Sequence, residues 1–164
     1  MYRVKDWEGL LIVSYLGYYI FMEKISAPKT AFFSHLLYLV LIVAILHILA
    51  LKFYFYSNVW WFDMVVHFLG GFWIALAVLW FLFFSGYIKL RGETYIHFLF
   101  IASLSALFAG IVWEIFEVTN GVTSVLFRGY WKDTMSDIIF DCLGALASSR
   151  YLFIEYKKQN NLSR

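Results

Sequence analysis

The chain is poor in the residues that small water-soluble domains rely on. Its single cysteine, Cys142, excludes any disulfide within the chain. Its single proline, Pro28, leaves the long apolar runs free of helix breakers. Only 15% of the residues are charged, against about 25% in an ordinary soluble domain. With 63% hydrophobic and 23% aromatic residues, the chain has too little polar surface to cover a folded interior in water. The net charge of +2 is small and the basic residues stand singly, which excludes the concentrated positive face that nucleic-acid binding requires. Internal repeats and low-complexity stretches are lacking. So are the H-E-x-x-H zinc motif, the G-x-S-x-G nucleophile elbow and the G-x-G-D pattern of intramembrane aspartyl proteases.

What remains is apolar sequence, at a mean hydropathy of +0.75. A membrane-crossing helix needs roughly 20 mainly apolar residues. Four runs meet that length: 31–55, 60–84, 95–118 and 136–154. A shorter run, 10–22, reads as a thin fifth crossing, a helix packed in the bundle or one lying in the interface. The runs are continuous rather than alternating, which favours helices over barrel strands. The expectation is an all-α polytopic membrane bundle forming one domain over residues 1–164. Residues 1–30 form its N-terminal hydrophobic segment and loop, 31–154 its four-helix core, and 155–164 a polar cytosolic tail. Asp6 and Glu8 interrupt the basic start and no A-x-A site follows, so the first run is expected in the mature protein. Trp60, Trp61, Trp80 and Trp131 fall near predicted helix ends, where amphipathic rings favour the headgroup level.

Positive loops stay in the cytoplasm. One side of this topology holds Lys24, Lys29, Lys89, Arg91, Arg150, Lys157, Lys158 and Arg164; the other holds Lys52, Arg128 and Lys132. The C-terminus is therefore expected in the cytoplasm, and the chain in the inner or plasma membrane, in contact with the bilayer.

The ionisable residues within these spans gather at one end. Asp63 and His67 lie four apart near the start of the second run and share a helix face. Glu114 and Glu117 lie near the end of the third. Asp133, Asp137 and Asp141 step by four into the fourth, a climb of about 12 Å at 1.5 Å per residue. The topology brings all of them towards the outer leaflet. Asp63, Glu117, Asp133 and Asp137, each taken alone, read as wet helix ends or N-caps that suit the helix dipole, whereas Glu114, Asp141 and His67 lie deeper, where that reading is weaker. Together they are costly, because carboxylates crowded in a low-dielectric region cannot all stay ionised uncompensated. Protonation, pairing with His67, Arg128 or Lys132, or a bound cation would each relieve them. Oxygen ligands with one imidazole suit Mg²⁺, Mn²⁺ or Ca²⁺, and also Zn²⁺. Glu114, Glu117, Asp137, Asp141 and His67 are the candidate metal ligands, and His67, Glu114 and Asp137 the candidate catalytic groups. Asp63 is placed to orient His67, with Asp133 beside it; Arg128 and Lys132 are placed to attract an anionic headgroup. Small residues at Gly70-Gly71, Ala106 with Gly110, and Gly144-Ala145 allow helices to approach closely here. His35 and His97 lie near predicted cytosolic helix ends, and His47 stands isolated in mid-span with no acidic partner in register.

The stretch Asp63–Val66–His67–Phe68–Gly70 resembles the D-x-x-x-H-F-x-x-G segment of YjdF-like bacterial inner-membrane proteins. Glu114–Glu117 resembles their E-x-x-E segment. Trp131, Asp133, Thr134 and Asp137, followed by Gly144-Ala145, are similar to their W-D-T-x-x-D and G-A segments, with Lys132 inserted. A more distant likeness is to VanZ-like proteins, with Asp141 where their pattern has Asn. These resemblances imply an envelope location and name no reaction.

Three classes of function fit. The first is an outward-facing acidic and histidine site for cation-assisted binding or modification of a polar lipid or cell-envelope precursor. The second is a small ion- or proton-coupled transporter; the third is a non-catalytic membrane accessory. All share one orientation, which predicts that alkaline phosphatase fused after Arg164 stays inactive. The same reporter inserted at Ser124 should be active, and the reverse pattern would invert the topology.

Overall fold

A computed structural model describes residues 27–86, 94–126 and 128–162. The expected N-terminal run 10–22 lies outside them. The chain divides into two compact units, 1–35 and 36–164, and the second carries the candidate site. The described residues form helices α1 (Ala27–Phe53), α2 (Phe55–Asn58), α3 (Phe62–Phe83), α4 (Tyr95–Thr119) and α5 (Tyr130–Leu162), with no strand among them.

Pro28 sits in the first turn of α1, where its missing N–H has no intrahelical acceptor to lose. Tyr54, in the left-handed region at φ 57°, breaks the helix and turns the chain into α2. Gly121, at φ 69°, follows the end of α4, as the Asn120-Gly121 pair leads one to expect. At the start of α4, Thr94 and His97 form a capping box, with the Thr94 N–H donating to His97 Nδ1 at 3.3 Å. The histidine is thereby accounted for locally.

Contacts at both ends set the directions of the three core helices. Gly71 of α3 meets Asp141 of α5 in their N-terminal halves, and Phe83 meets Tyr156 towards their ends, so α3 and α5 run parallel. Helix α4 is antiparallel to both. Its first turn packs Phe98 against Phe83, stacked at 4.2 Å, and Tyr156 at 5.3 Å. Its last turns bring Glu114 to Thr134. One end of the bundle is thus an aromatic plug, and the other carries the acids. Between them the seam is lined by small buried residues: Ala75, Ala102, Ala106, Ala145, Ser148 and Ser149. The outward surface is apolar, with Phe108 at 69% exposure, and Ile48 and Leu104 also exposed. In water such a surface would be a liability; in lipid it is the expected exterior.

Three described helical segments are long and apolar enough to cross a membrane: Phe33–Phe53, Phe62–Phe83 and Tyr95–Thr119. The run expected at 136–154 is not among them. It belongs to α5, a 33-residue helix that takes in residues 155–162, expected as a polar tail. The charges of Asp137, Asp141 and Arg150 lower its hydropathy; packing against α3 and α4 buries the two aspartates, while Arg150 stays exposed. Trp80, near the end of α3, packs into the core at 7% exposure.

The tightest constraint is reciprocal. A methyl group at Gly71 would collide with the Asp141 backbone, and one at Gly144 with the Phe68 carbonyl oxygen. Only hydrogen at both positions lets α3 and α5 meet at this distance. Gly144→Leu should therefore destabilise the folded protein in detergent by more than the about 1–3 kcal/mol typical of overpacking. The lipid-facing Ile45→Ala should barely move the melting temperature. Equal melting temperatures for the two variants would contradict this packing.

Candidate functional site

Asp63 and His67 occupy the first two turns of α3, one above the other, and Asp137 and Asp141 the third and fourth turns of α5. Because the two helices are parallel and in near contact, all four side chains converge. The imidazole lies between carboxyls on both of its edges. Nδ1 is 3.4 Å from Asp141 Oδ2. Nε2 is 3.6 Å from Asp63 Oδ1 and 3.9 Å from Asp137 Oδ1. One ligand atom each from Asp63, His67 and Asp137 lie within 4.8 Å of one another. Asp137 and Asp141 are 5% and 6% exposed, while Asp63 is open to solvent on one side.

Helix α4 closes the group with a hydrogen where a side chain would intrude. A Cβ at Gly110 would stand 2.6 Å from Asp141 Oδ2. Space for this carboxyl is therefore built into the neighbouring helix.

Three carboxyls surround one imidazole, so even a protonated His67 could balance only one of them. In an apolar bundle the remainder needs protons or a cation. The two loop residues expected to help do not: among the described residues neither Arg128 nor Lys132 pairs with these acids, and both are exposed.

The other expected site residues sit around this group. Glu114 lies one turn beyond Gly110 on α4. It is 7% exposed, and its Oε2 accepts a 2.6 Å hydrogen bond from the Thr134 hydroxyl. Its Oε1 is buried without a hydrogen-bond partner among the described residues. Glu117 is part-buried and accepts from Trp113 Nε1 at 2.9 Å. Asp133 is exposed and lines an open cavity of about 620 Å³ with the loop around Gly121–Val125. Neither Glu114, Glu117 nor Asp141 is in the three-residue group whose ligand atoms converge.

Reading the residues by periodicity missed several participants. Thr134 shares the buried stripe of α5 with Asp137 and Asp141, three and seven residues on, so that signal was present. His47 is not isolated: its Nδ1 lies 2.7 Å from the Tyr56 hydroxyl, and its ring meets Trp113 edge-on at 5.9 Å. That contact depends on the chain reversal at Tyr54, which no spacing rule reveals. The Tyr56 phenol is held above the ordinary tyrosine range by burial, then by the nearby Asp63 and Glu117 carboxylates.

Residues 6–158 match the DUF2238 family of predicted membrane proteins, and the chain belongs to that family. No curated protein and no solved structure matches it.

A phenol whose pKa is raised on folding binds its proton more tightly in the native state than in the unfolded chain. Tyr56 thus favours folding below the ordinary tyrosine pKa of about 10, and that contribution is lost as pH rises through the raised value. Melting temperatures recorded from pH 8 upward should fall above about pH 10 and fall less steeply in Tyr56→Phe. Parallel curves for the two proteins would contradict the placement of Tyr56 beside the acids.

Proposed function

We propose that this member of the DUF2238 family holds a divalent cation in its carboxyl–imidazole cluster. Through that cation it would bind or modify a polar lipid or cell-envelope precursor at the outer face of the membrane. One observation carries the reading: His67 Nε2 and the carboxyls of Asp63 and Asp137 converge from two helices at 3.6 and 3.9 Å. These spacings exceed good direct hydrogen bonds. They lie close to the about 3.4 Å that separates two ligands placed tetrahedrally about an ion at about 2.1 Å. A shift of a few tenths of an ångström would close the site on a metal.

The two edges of the imidazole then take different tasks. Nε2 is the ligand, with Asp63 and Asp137. Nδ1 carries the proton and donates it to Asp141, which fixes the tautomer and raises the basicity of the ring. Asp63 thus enters as a ligand and Asp141 as the orienting group. One imidazole among carboxylates suits Mn²⁺ or Zn²⁺ better than Mg²⁺ or Ca²⁺, which prefer oxygen alone. The ion would supply Lewis acidity towards a phosphoryl or carbonyl oxygen of the bound headgroup. Glu114, outside the ligand set and largely buried, remains available to take or give a proton. The cluster's confinement to one end of the bundle supports a binding or reaction site over a transport relay, which needs acids along the whole path. A further helical crossing by α5 and a cytoplasmic C-terminus belong to this reading. The envelope assignment draws on the YjdF-like and VanZ-like resemblances.

Protein purified without chelator and analysed by inductively coupled plasma mass spectrometry should carry about one Mn²⁺ or Zn²⁺ per chain. His67→Ala and Asp137→Asn should lose it. Asp141→Asn should weaken it about 10–100-fold, the range for groups that orient a ligand. Wild-type protein that takes up no metal in Mn²⁺ or Zn²⁺ titrations while keeping its helical circular dichroism would sink the proposal.

A further inference from the structure

A second polar position lies outside the cation cluster. Helices α4 and α5 leave a cavity of about 310 Å³ between them, at the lower end of the about 300–1,000 Å³ typical of ligand pockets. Its walls are apolar, built by Ile111, Ile115, Val118 and Ile138, and its polar groups include Glu114 and Thr134. Val118 and Val125 also line the larger cavity that ends at Asp133, so the two spaces adjoin. Ile111 and Ile115 are exposed on the bundle's exterior, which opens the smaller cavity sideways to the surrounding medium.

Glu114 is the unusual element. Its side chain is more than nine-tenths buried, Thr134 satisfies Oε2, and Oε1 has no partner among the described residues. A buried acceptor left unpaired costs about 1–3 kcal/mol, more if charged. Among the described lining residues, one carboxyl stands in each cavity, Glu114 in the smaller and Asp133 in the larger; Tyr130 adds a phenol to the smaller one, and no basic residue lines either. The lining repels an anionic group and attracts a cation with N–H donors.

We propose that this groove seats the primary ammonium headgroup of a membrane lipid. The ammonium donates to Glu114 Oε1, and the acyl region lies along Ile111 and Ile115 in the bilayer. The assignment does not use the metal cluster, so the two ideas can fail separately.

Native mass spectrometry of the full-length protein in mixed micelles tests it, with phosphatidylethanolamine, phosphatidylcholine and phosphatidylglycerol offered in equal amounts. Phosphatidylcholine carries the same charge without an N–H, and phosphatidylglycerol carries no cation. Phosphatidylethanolamine should be retained about tenfold or more over either, as a charge-assisted hydrogen bond implies, and Glu114→Gln should remove that preference. Ile138→Trp, which fills the groove and leaves the acid in place, should remove it as well. The preference should persist in EDTA and against an excess of free ethanolamine. Equal retention of the three lipids would overturn the proposal, as would an unchanged preference in folded Glu114→Gln. Loss of the preference in EDTA would assign the headgroup to the cation instead, and displacement by free ethanolamine would make the ligand a soluble amine; either result also overturns it.

Discussion

The backbone contact between α3 and α5 governs the rest of the structure. Gly71 lies against the Asp141 backbone and Gly144 against the Phe68 carbonyl, so the two helices meet near the level of His67. Lipid offers no hydrophobic drive for helices to associate, so close packing through small residues has to supply it. The same approach that stabilises the bundle brings an imidazole from one helix among carboxyls from the other. Helix α4 completes the arrangement by presenting Gly110, rather than a side chain, to the Asp141 carboxyl. Packing and site are one feature here.

Polar groups in a bundle of this kind are expensive, and the cost is distributed in an orderly way. Asp137, Asp141 and Glu114 are buried on the inner faces of α4 and α5. Asp133, Arg128 and Lys132 stay exposed, and Glu117 is half-buried with a tryptophan N–H as donor. The opposite end contains the stacked Phe83 and Phe98 rings, with Tyr156 edge-on to the first and tilted against the second. A bundle whose polar groups served only to hold helices together could spread them along the seam. Concentrating them at one end leaves three carboxyls around one ring and, among the described residues, an unpaired oxygen on Glu114, the distribution on which the proposed sites rest.

Helical periodicity made the first part of this legible from residues alone. Asp63 with His67, and Asp137 with Asp141, each lie four apart and must share a face, and alternating spans must carry them to a common end. The small residues at 70–71, 110 and 144 marked where helices could touch. Periodicity specifies a face and is silent on the register between helices. It could not place Asp141 on Nδ1 and Asp63 on Nε2, pair Thr134 with Glu114, or bring Tyr56 back to His47 across a left-handed residue. Hydropathy also treats a charge as exposed, so it could not anticipate that α5 runs from Tyr130 to Leu162 with Asp137 and Asp141 enclosed.

The central claim is that His67 and carboxyls from two helices form one coordination site, and electron spin echo envelope modulation of Mn²⁺ added to the purified protein tests it most directly. The account predicts modulation from a single directly bound imidazole nitrogen, absent in His67→Ala and retained in Glu117→Gln. Bound Mn²⁺ showing no nitrogen coupling, or coupling that survives loss of His67, would contradict it.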